Sequence, residues 1–263
     1  MLKEIRLYFR YIKINLLSGL EYKGWWIMIF QVFVSAVADP LAVILLFARF
    51  GSIGSWSMER ILLIYAIALT SFGFAETLFR GFDYFPTRMI RSGDFDRILL
   101  RPKSLFVQVS ASFFHIHRGV RPILGLCIIF WCLNRLEVQP TLFNVSILIF
   151  ALSGGFLTYA GVFVIGAGVA IFTINAMDWI FIFTSASREV ARIPIDYMPR
   201  VLRYTFTFIM PMLVISYFPA SSIGGWGGAA VRGFFAFPAG LAFFVIGLLV
   251  WHFGVKHYKS TGS

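Results

Sequence analysis

From Leu142 to Ala186 the chain runs for 45 residues with one charged side chain, Asp178. A helix in a soluble core still turns one face to water, so a run that is apolar on every face needs lipid around it. About 20 such residues cross the hydrocarbon core of a bilayer, and this run holds two spans. Asn175-Ala176-Met177-Asp178 is its best polar break, and Gly154, Gly155, Gly161, Gly166 and Gly168 predict close helix packing in the first of the two spans. Trp25 to Phe47, Ile61 to Phe79 and Phe234 to Phe253 each suffice for a further span. Pro122 to Leu133 is too short for one, so the third span is expected to begin near Ser112, with His115, His117, Arg118 and Arg121 snorkelling from its first turns. Composition agrees: 59% of the 263 residues are hydrophobic and 13% charged, where a soluble domain has roughly 45–50% and 25%.

The net charge of +11 is explained by loops and anionic head groups, and no nucleic acid partner is expected. Arg80, Arg88, Arg91, Arg97, Arg101, Lys103, Arg118 and Arg121 stand against three acids between residues 80 and 121, which places this stretch in the cytoplasm. The N-terminus, two spans earlier, falls on the same side, and Lys256, His257 and Lys259 put the C-terminus there too. Both termini inside requires an even number of spans. Residues 1–23 carry Ile5, Phe9, Ile12 and Leu16 in a helical stripe beside Lys3, Arg6, Arg10 and Lys13, the pattern of a helix lying in the membrane interface. Glu76 and Arg80 have the i, i+4 spacing of an ion pair. Asp39-Pro40 interrupts the first span. Either Asp39 is a polar spot on a translocation path, facing protein or water, or it lies near the outer interface and ends the helix. Two topologies remain open for the chain's last third: Tyr204 to Ala220 crosses the membrane and the arginines before it are cytoplasmic, or the fifth span is roughly Trp179 to Ile193 and residues 194–233 form a partly re-entrant hairpin outside.

No Gly-x-x-x-x-Gly-Lys-Ser/Thr phosphate loop occurs, and Gly51-Ser-Ile-Gly54 lacks the lysine that reaches the phosphates. Nor is there a Ser/His/Asp set, a paired-carboxylate site or a metal cluster; His115-Ile-His117 alone does not make one. The chain is therefore expected to be no enzyme, with no catalytic, cofactor-binding or metal-binding residue.

One stretch is specific. Arg91-Ser-Gly93-Asp94-Phe95-Asp96-Arg97-Ile-Leu99-Leu-Arg101-Pro102 resembles the G-D-F-D…L-L-R-P segment of bacterial ABC transporter permeases of the type 2 exporter group, the ABC-2 family. Arg192-Ile-Pro-Ile-Asp-Tyr-Met-Pro199, Ile209-Met-Pro211 and Tyr217-Phe-Pro-Ala220 resemble the proline-rich run of the same family. The resemblance implies an all-α integral membrane protein: an N-terminal amphipathic interface helix, then a six-helix transmembrane domain over residues 24–263, with a re-entrant hairpin between helices five and six. It implies a multi-pass protein of the bacterial inner membrane, driven by a separate cytoplasmic ATPase that holds ATP and Mg and paired with an identical or related second permease. It places the coupling element in segment 81–104. There Met89, Phe95 and Leu99 offer apolar knobs among Arg91, Asp94, Asp96, Arg97 and Arg101, Gly93-Asp94 separates two short helices with Asp94 as N-cap, and Pro102 stops the second. The rival from another class is an ion-gradient-driven secondary transporter, which needs paired broken helices with buried carboxylates; only Asp39 and Asp178 qualify. A scaffold or lipid enzyme has no positive sign.

Overall fold

In the computed structural model the described residues are 2–21, 23–173, 184–186, 189–228 and 230–259. The expected turn at Asn175 to Asp178 lies outside them, as do residues 179–183 and 187–188 of the expected span Trp179 to Ile193. The described helices are α1 (Leu2–Glu21), α2 (Trp25–Phe50), α3 (Met58–Phe85), α4 (Asp94–Leu99), α5 (Leu105–Ala111), α6 (Val120–Arg135), α7 (Leu142–Ala170), α8 (Arg200–Tyr204), α9 (Met212–Ile215), α10 (Tyr217–Gly224) and α11 (Ala236–Lys256). Among the described residues five helical stretches are long and apolar enough to cross a membrane: Trp25–Phe50, Met58–Ile90, Ile116–Arg135, Leu142–Ala170 and Ala230–Lys256. The protein is an all-α membrane protein.

The third span differs from its expectation. Residues 112–115 are not helical; a 3-10 turn at Ile116–Gly119 leads into α6, so the span begins four residues later than Ser112. The reason lies in the arginines, which turn inward instead of snorkelling. Pro40 does not end α2, which continues to Phe50.

The central helix is α3, buried on all sides from Ile61 to Leu69. It packs between α6 and α7, and α7 in turn packs along α11. That second contact is built from glycine on both sides. Gly154, Gly161 and Gly168 of α7 face Gly240, Gly247 and Gly254 of α11, each set spaced by seven residues. A Cβ added at Gly240 would lie 2.0 Å from the Gly154 carbonyl oxygen, one at Gly247 3.0 Å from that of Gly161, and one at Gly254 2.7 Å from that of Gly168. The backbones touch, and small residues are what permits it in lipid.

At the end where α3 stops, aromatic rings close the bundle. Phe85 and Phe95 lie 4.9 Å apart between ring centroids, Phe82 and Trp251 5.1 Å, and Phe95 and Tyr258 4.8 Å. This end carries the basic segment 88–103 and Tyr258, just past the end of α11.

The opposite end is formed by the α2–α3 connection, residues 51–57. The Trp56 indole donates to Asp196 Oδ2 at 3.0 Å, and a Cβ on Gly54 would meet the Tyr197 hydroxyl at 2.5 Å. The arginine-bearing segment after residue 190 therefore sits at the end away from the basic segment, which removes the topology that set those arginines beside it. The following helical pair, Arg200–Ile209 and Met212–Gly224, bends by 72° at its break. Pro211 occupies that break and cannot supply the amide a continuous helix needs. Met212 to Ile215 are all buried against the bundle, the shape of a re-entrant turn. Two arginines of this segment are held within the chain: Arg192 by carboxylates and Arg203 by the Ile195 carbonyl.

Candidate translocation path

Apart from Arg49 near its end, the polar side chains of α2 from Gln31 onward are Gln31, Ser35 and Asp39, each four residues after the last. They form a seam beside the buried stripe Val32, Ala36, Pro40, Val43 and Phe47. At 1.5 Å per residue the seam covers about 12 Å of the membrane's depth. A charged cluster stands at each end of it.

The cluster nearer the basic end is centred on Glu76, only 1% exposed. Arg80 and Arg118 bond its Oε1 at 3.0 and 2.6 Å, and Arg121 bonds its Oε2. Arg80 also reaches Asp83 at 3.0 Å. The i, i+4 pair expected from sequence is present, and two more guanidiniums join it, Arg118 from the 3-10 turn before α6 and Arg121 from the first turn of α6. An ionised carboxylate within an apolar span is tolerable only when paired in this way. Beside the cluster a cavity of about 470 Å3 is lined by Met28, Gln31, Val32, Ser35, Tyr84, His115, His117, Arg118 and Arg121. The two imidazoles stack with centroids 5.2 Å apart. Burial, and then the Arg118 and Arg80 charges, hold His115 below its usual pKa, so it is neutral at pH 7. Among the described residues no group of three or more His, Cys, Asp or Glu side chains is placed to hold a metal.

The cluster at the other end joins Asp39 to Arg192 at 2.6 Å, and Arg192 to Glu189 at 3.4 Å. The Tyr65 hydroxyl donates to Asp39 Oδ2 at 3.0 Å, and the Arg192 guanidinium lies 5.3 Å from the Tyr65 ring centre. Sequence singled out Asp39 and Pro40 but not Arg192. The signal was the carboxylate itself, which at that depth demands a cation from elsewhere in the chain. The side chains of Asp39 and Arg192 are 26% and 19% exposed, so their coupling lies above the surface value, at about 1–2 kcal/mol. A double-mutant cycle of Asp39→Asn and Arg192→Gln, read by thermal unfolding in detergent, should return that figure; additive losses would mean that the pair does not act as a unit.

The expected coupling residues separate into two groups. Met89 and Phe95 are buried, at 3% and 0% exposure, among Phe85, Trp251 and Tyr258. They face this chain's own core, which corrects the expectation that they are exposed knobs. Arg91, Arg97, Leu99, Leu100, Arg101 and Pro102 are exposed, Leu100 to 86%. Gly93, at φ 73°, takes the N-cap position expected of Asp94, because that backbone conformation suits glycine. Asp94 instead accepts from the Ser92 hydroxyl at 2.9 Å and pairs with Arg97 at 3.5 Å, while Asp96 lies partly buried in the same helix.

Helix α1 docks beside this segment. The Tyr8 hydroxyl donates to the Leu78 carbonyl at 2.9 Å, Asn15 to the Ala111 carbonyl at 2.8 Å, and Arg101 donates to the Tyr11 hydroxyl at 3.3 Å. Burial pushes the Tyr8 phenol up to about 12, so it stays protonated and keeps that donor. Ile5 and Phe9 point away from the bundle, 47% and 62% exposed, and Lys3, Arg6, Arg10 and Lys13 are exposed as well.

No curated protein and no solved structure matches the chain significantly. A family model described as ABC-2 family transporter protein matches residues 33–262. That range runs from within α2, through both charged clusters and the basic segment, to the C-terminus, and on it the chain belongs to the ABC-2 transporter family as a membrane permease component.

Proposed function

We propose that the chain is the permease subunit of an ATP-driven exporter in a bacterial inner membrane, with both termini cytoplasmic. It works as a dimer with an identical or related permease, and two cytoplasmic ATPase subunits, which hold ATP and Mg, drive it. Residues 1–23 lie in the membrane interface, and segment 81–104 rests on the ATPase. ABC-2 family membership leaves the gradient-driven alternative without support.

The observation that carries this reading is the two-sided character of the basic segment. Its inner face is anchored in the aromatic cluster through Phe95, and its outer face offers Leu99, Leu100, Arg97 and Arg101 to solvent. A segment fixed on one side and exposed on the other can pass a push from a soluble partner into α3 and α11. ATP-driven closure of the ATPases would then tilt the spans around the seam on α2, alternating its access between the two sides.

The substitutions divide accordingly. Leu100→Asp and Arg97→Ala should release a co-expressed ATPase, or uncouple its hydrolysis from transport, while the permease purifies with wild-type yield. Phe95→Ala should instead cost about 3–5 kcal/mol of stability by emptying a packed aromatic site. Affinity purification with ATPase quantification, alongside thermal unfolding, measures both. Wild-type retention of the ATPase by Leu100→Asp and Arg97→Ala would move the contact elsewhere.

A further inference from the structure

We propose that the cavity between α2, α3 and the start of α6 is a binding site for an amphiphile with a phosphate-bearing head, entered sideways from the leaflet. The proposal goes beyond the permease reading, because binding requires neither ATP nor a partner subunit.

The lining chemistry selects an anion. No carboxylate lines the cavity: its charged side chains are Arg118 and Arg121, and its neutral polar ones are Gln31, Ser35, Tyr84 and the two histidines. Glu76 lies behind the arginines, 1% exposed, and holds them in place without facing the space. Arg80, Arg118 and Arg121 against Glu76 and Asp83 leave one net positive charge. Arg118 Nε is buried and has no hydrogen-bond partner among the described residues. Two guanidiniums, imidazoles, an amide and hydroxyls offer more donors than the two oxygens of a carboxylate accept, and match the several oxygens of a phosphate.

The shape gives such a head a way in from the interface. A second space of about 160 Å3 shares Met28, His115 and His117 with the cavity and continues past Trp25, Phe114 and Ile116. It is largely apolar and leads to the first turn of α2, where Trp25 stands as a residue of the head-group level would. Met28, Gln31 and Ser35 are exposed on α2, so the polar site opens to the side of the bundle. The cavity's volume falls within the roughly 300–1,000 Å3 of small-molecule sites. Free phosphate fills only the polar site; a lipid sets its head there and keeps its tail in the leaflet through that open side.

Native mass spectrometry of the purified chain in neutral detergent, titrated with phosphatidic acid, phosphatidylcholine of the same chain length, or inorganic phosphate, tests the proposal. Phosphatidic acid should bind about tenfold more tightly than phosphatidylcholine, and inorganic phosphate should compete only weakly. Gln31→Leu and His117→Leu change no charge on the cluster and touch no partner of Glu76. Each should weaken phosphatidic acid binding severalfold at unchanged melting temperature, whereas attraction to the chain's overall positive charge would leave both variants as wild type. Equal binding of the two lipids, or wild-type binding by both variants, overturns the proposal. Inorganic phosphate binding as tightly as phosphatidic acid overturns the amphiphile and leaves a plain phosphate site. Arg118→Leu serves as a further variant only if it purifies folded. None of these readouts involves ATP, so failure of the ATPase contact would not affect them.

Discussion

Glu76→Gln should destabilise the protein by about 3–5 kcal/mol, the typical cost of leaving buried charge without its counter-ion. The substitution keeps the side chain's shape and removes one charge. Three guanidiniums, with side chains 18%, 18% and 13% exposed, would then have Asp83 as their carboxylate among the described residues, and it bonds Arg80. The loss should appear as a lower melting temperature in detergent and as poor recovery from the membrane. A second change should restore part of it: Glu76→Gln combined with Arg118→Gln removes one of the stranded cations. If Glu76→Gln melted within a degree or two of wild type, the cluster would be an ornament of the fold and not one of its supports. Replacing the whole cluster by apolar side chains is a different experiment, and it is expected to cost far less than removing Glu76 alone, because no charge is then left buried.

The second large effect is expected along the α7–α11 contact. Gly240→Leu should prevent the two helices from packing and leave little folded protein. Even Gly240→Ala should cost about 1–3 kcal/mol, since the added methyl would stand 2.0 Å from a backbone oxygen that no rotamer change can move. Alanine's better helix propensity, about 1 kcal/mol, works against that loss and does not cancel it. Gly19→Ala is the control: a Cβ there meets nothing within 4 Å, and the change should be neutral or stabilising. Thermal unfolding of the three variants side by side gives the answer, and equal stability of Gly240→Ala and wild type would show that the close approach is unimportant.

Much of this architecture could be read from the chain. Each long apolar helix fell on a run visible in the sequence, and the Arg91 to Pro102 motif pointed to the family that the comparison found. The misreadings share one physical origin. Periodicity reports which face of a helix is apolar, but not which polar side chains meet across helices. Arg118 and Arg121 therefore looked like snorkelling residues at a span's edge, although Glu76 was already waiting in the neighbouring helix. Arg192, far from Asp39 in sequence, counted as a loose positive charge when it is a neutralised one. Phe95 looked like a knob because its neighbours in sequence are charged, and only the folded chain brings Trp251 and Tyr258 against it. The glycines of α11 were legible in principle: positions 240, 247 and 254 repeat the sevenfold spacing of 154, 161 and 168.

Where glycine faces glycine, the α7 and α11 backbones press together with no flexible side chain to give way, so the pair packs as one stiff plate. Helix α2 is held differently. It meets the rest of the bundle along one stripe, Val32, Ala36, Pro40, Val43 and Phe47, with side chains and not backbone at the contact. In the exporter proposed above, the plate would be the fixed wall and α2 the door, and the ion pair between Asp39 and Arg192 would be the latch, broken and remade once in each cycle.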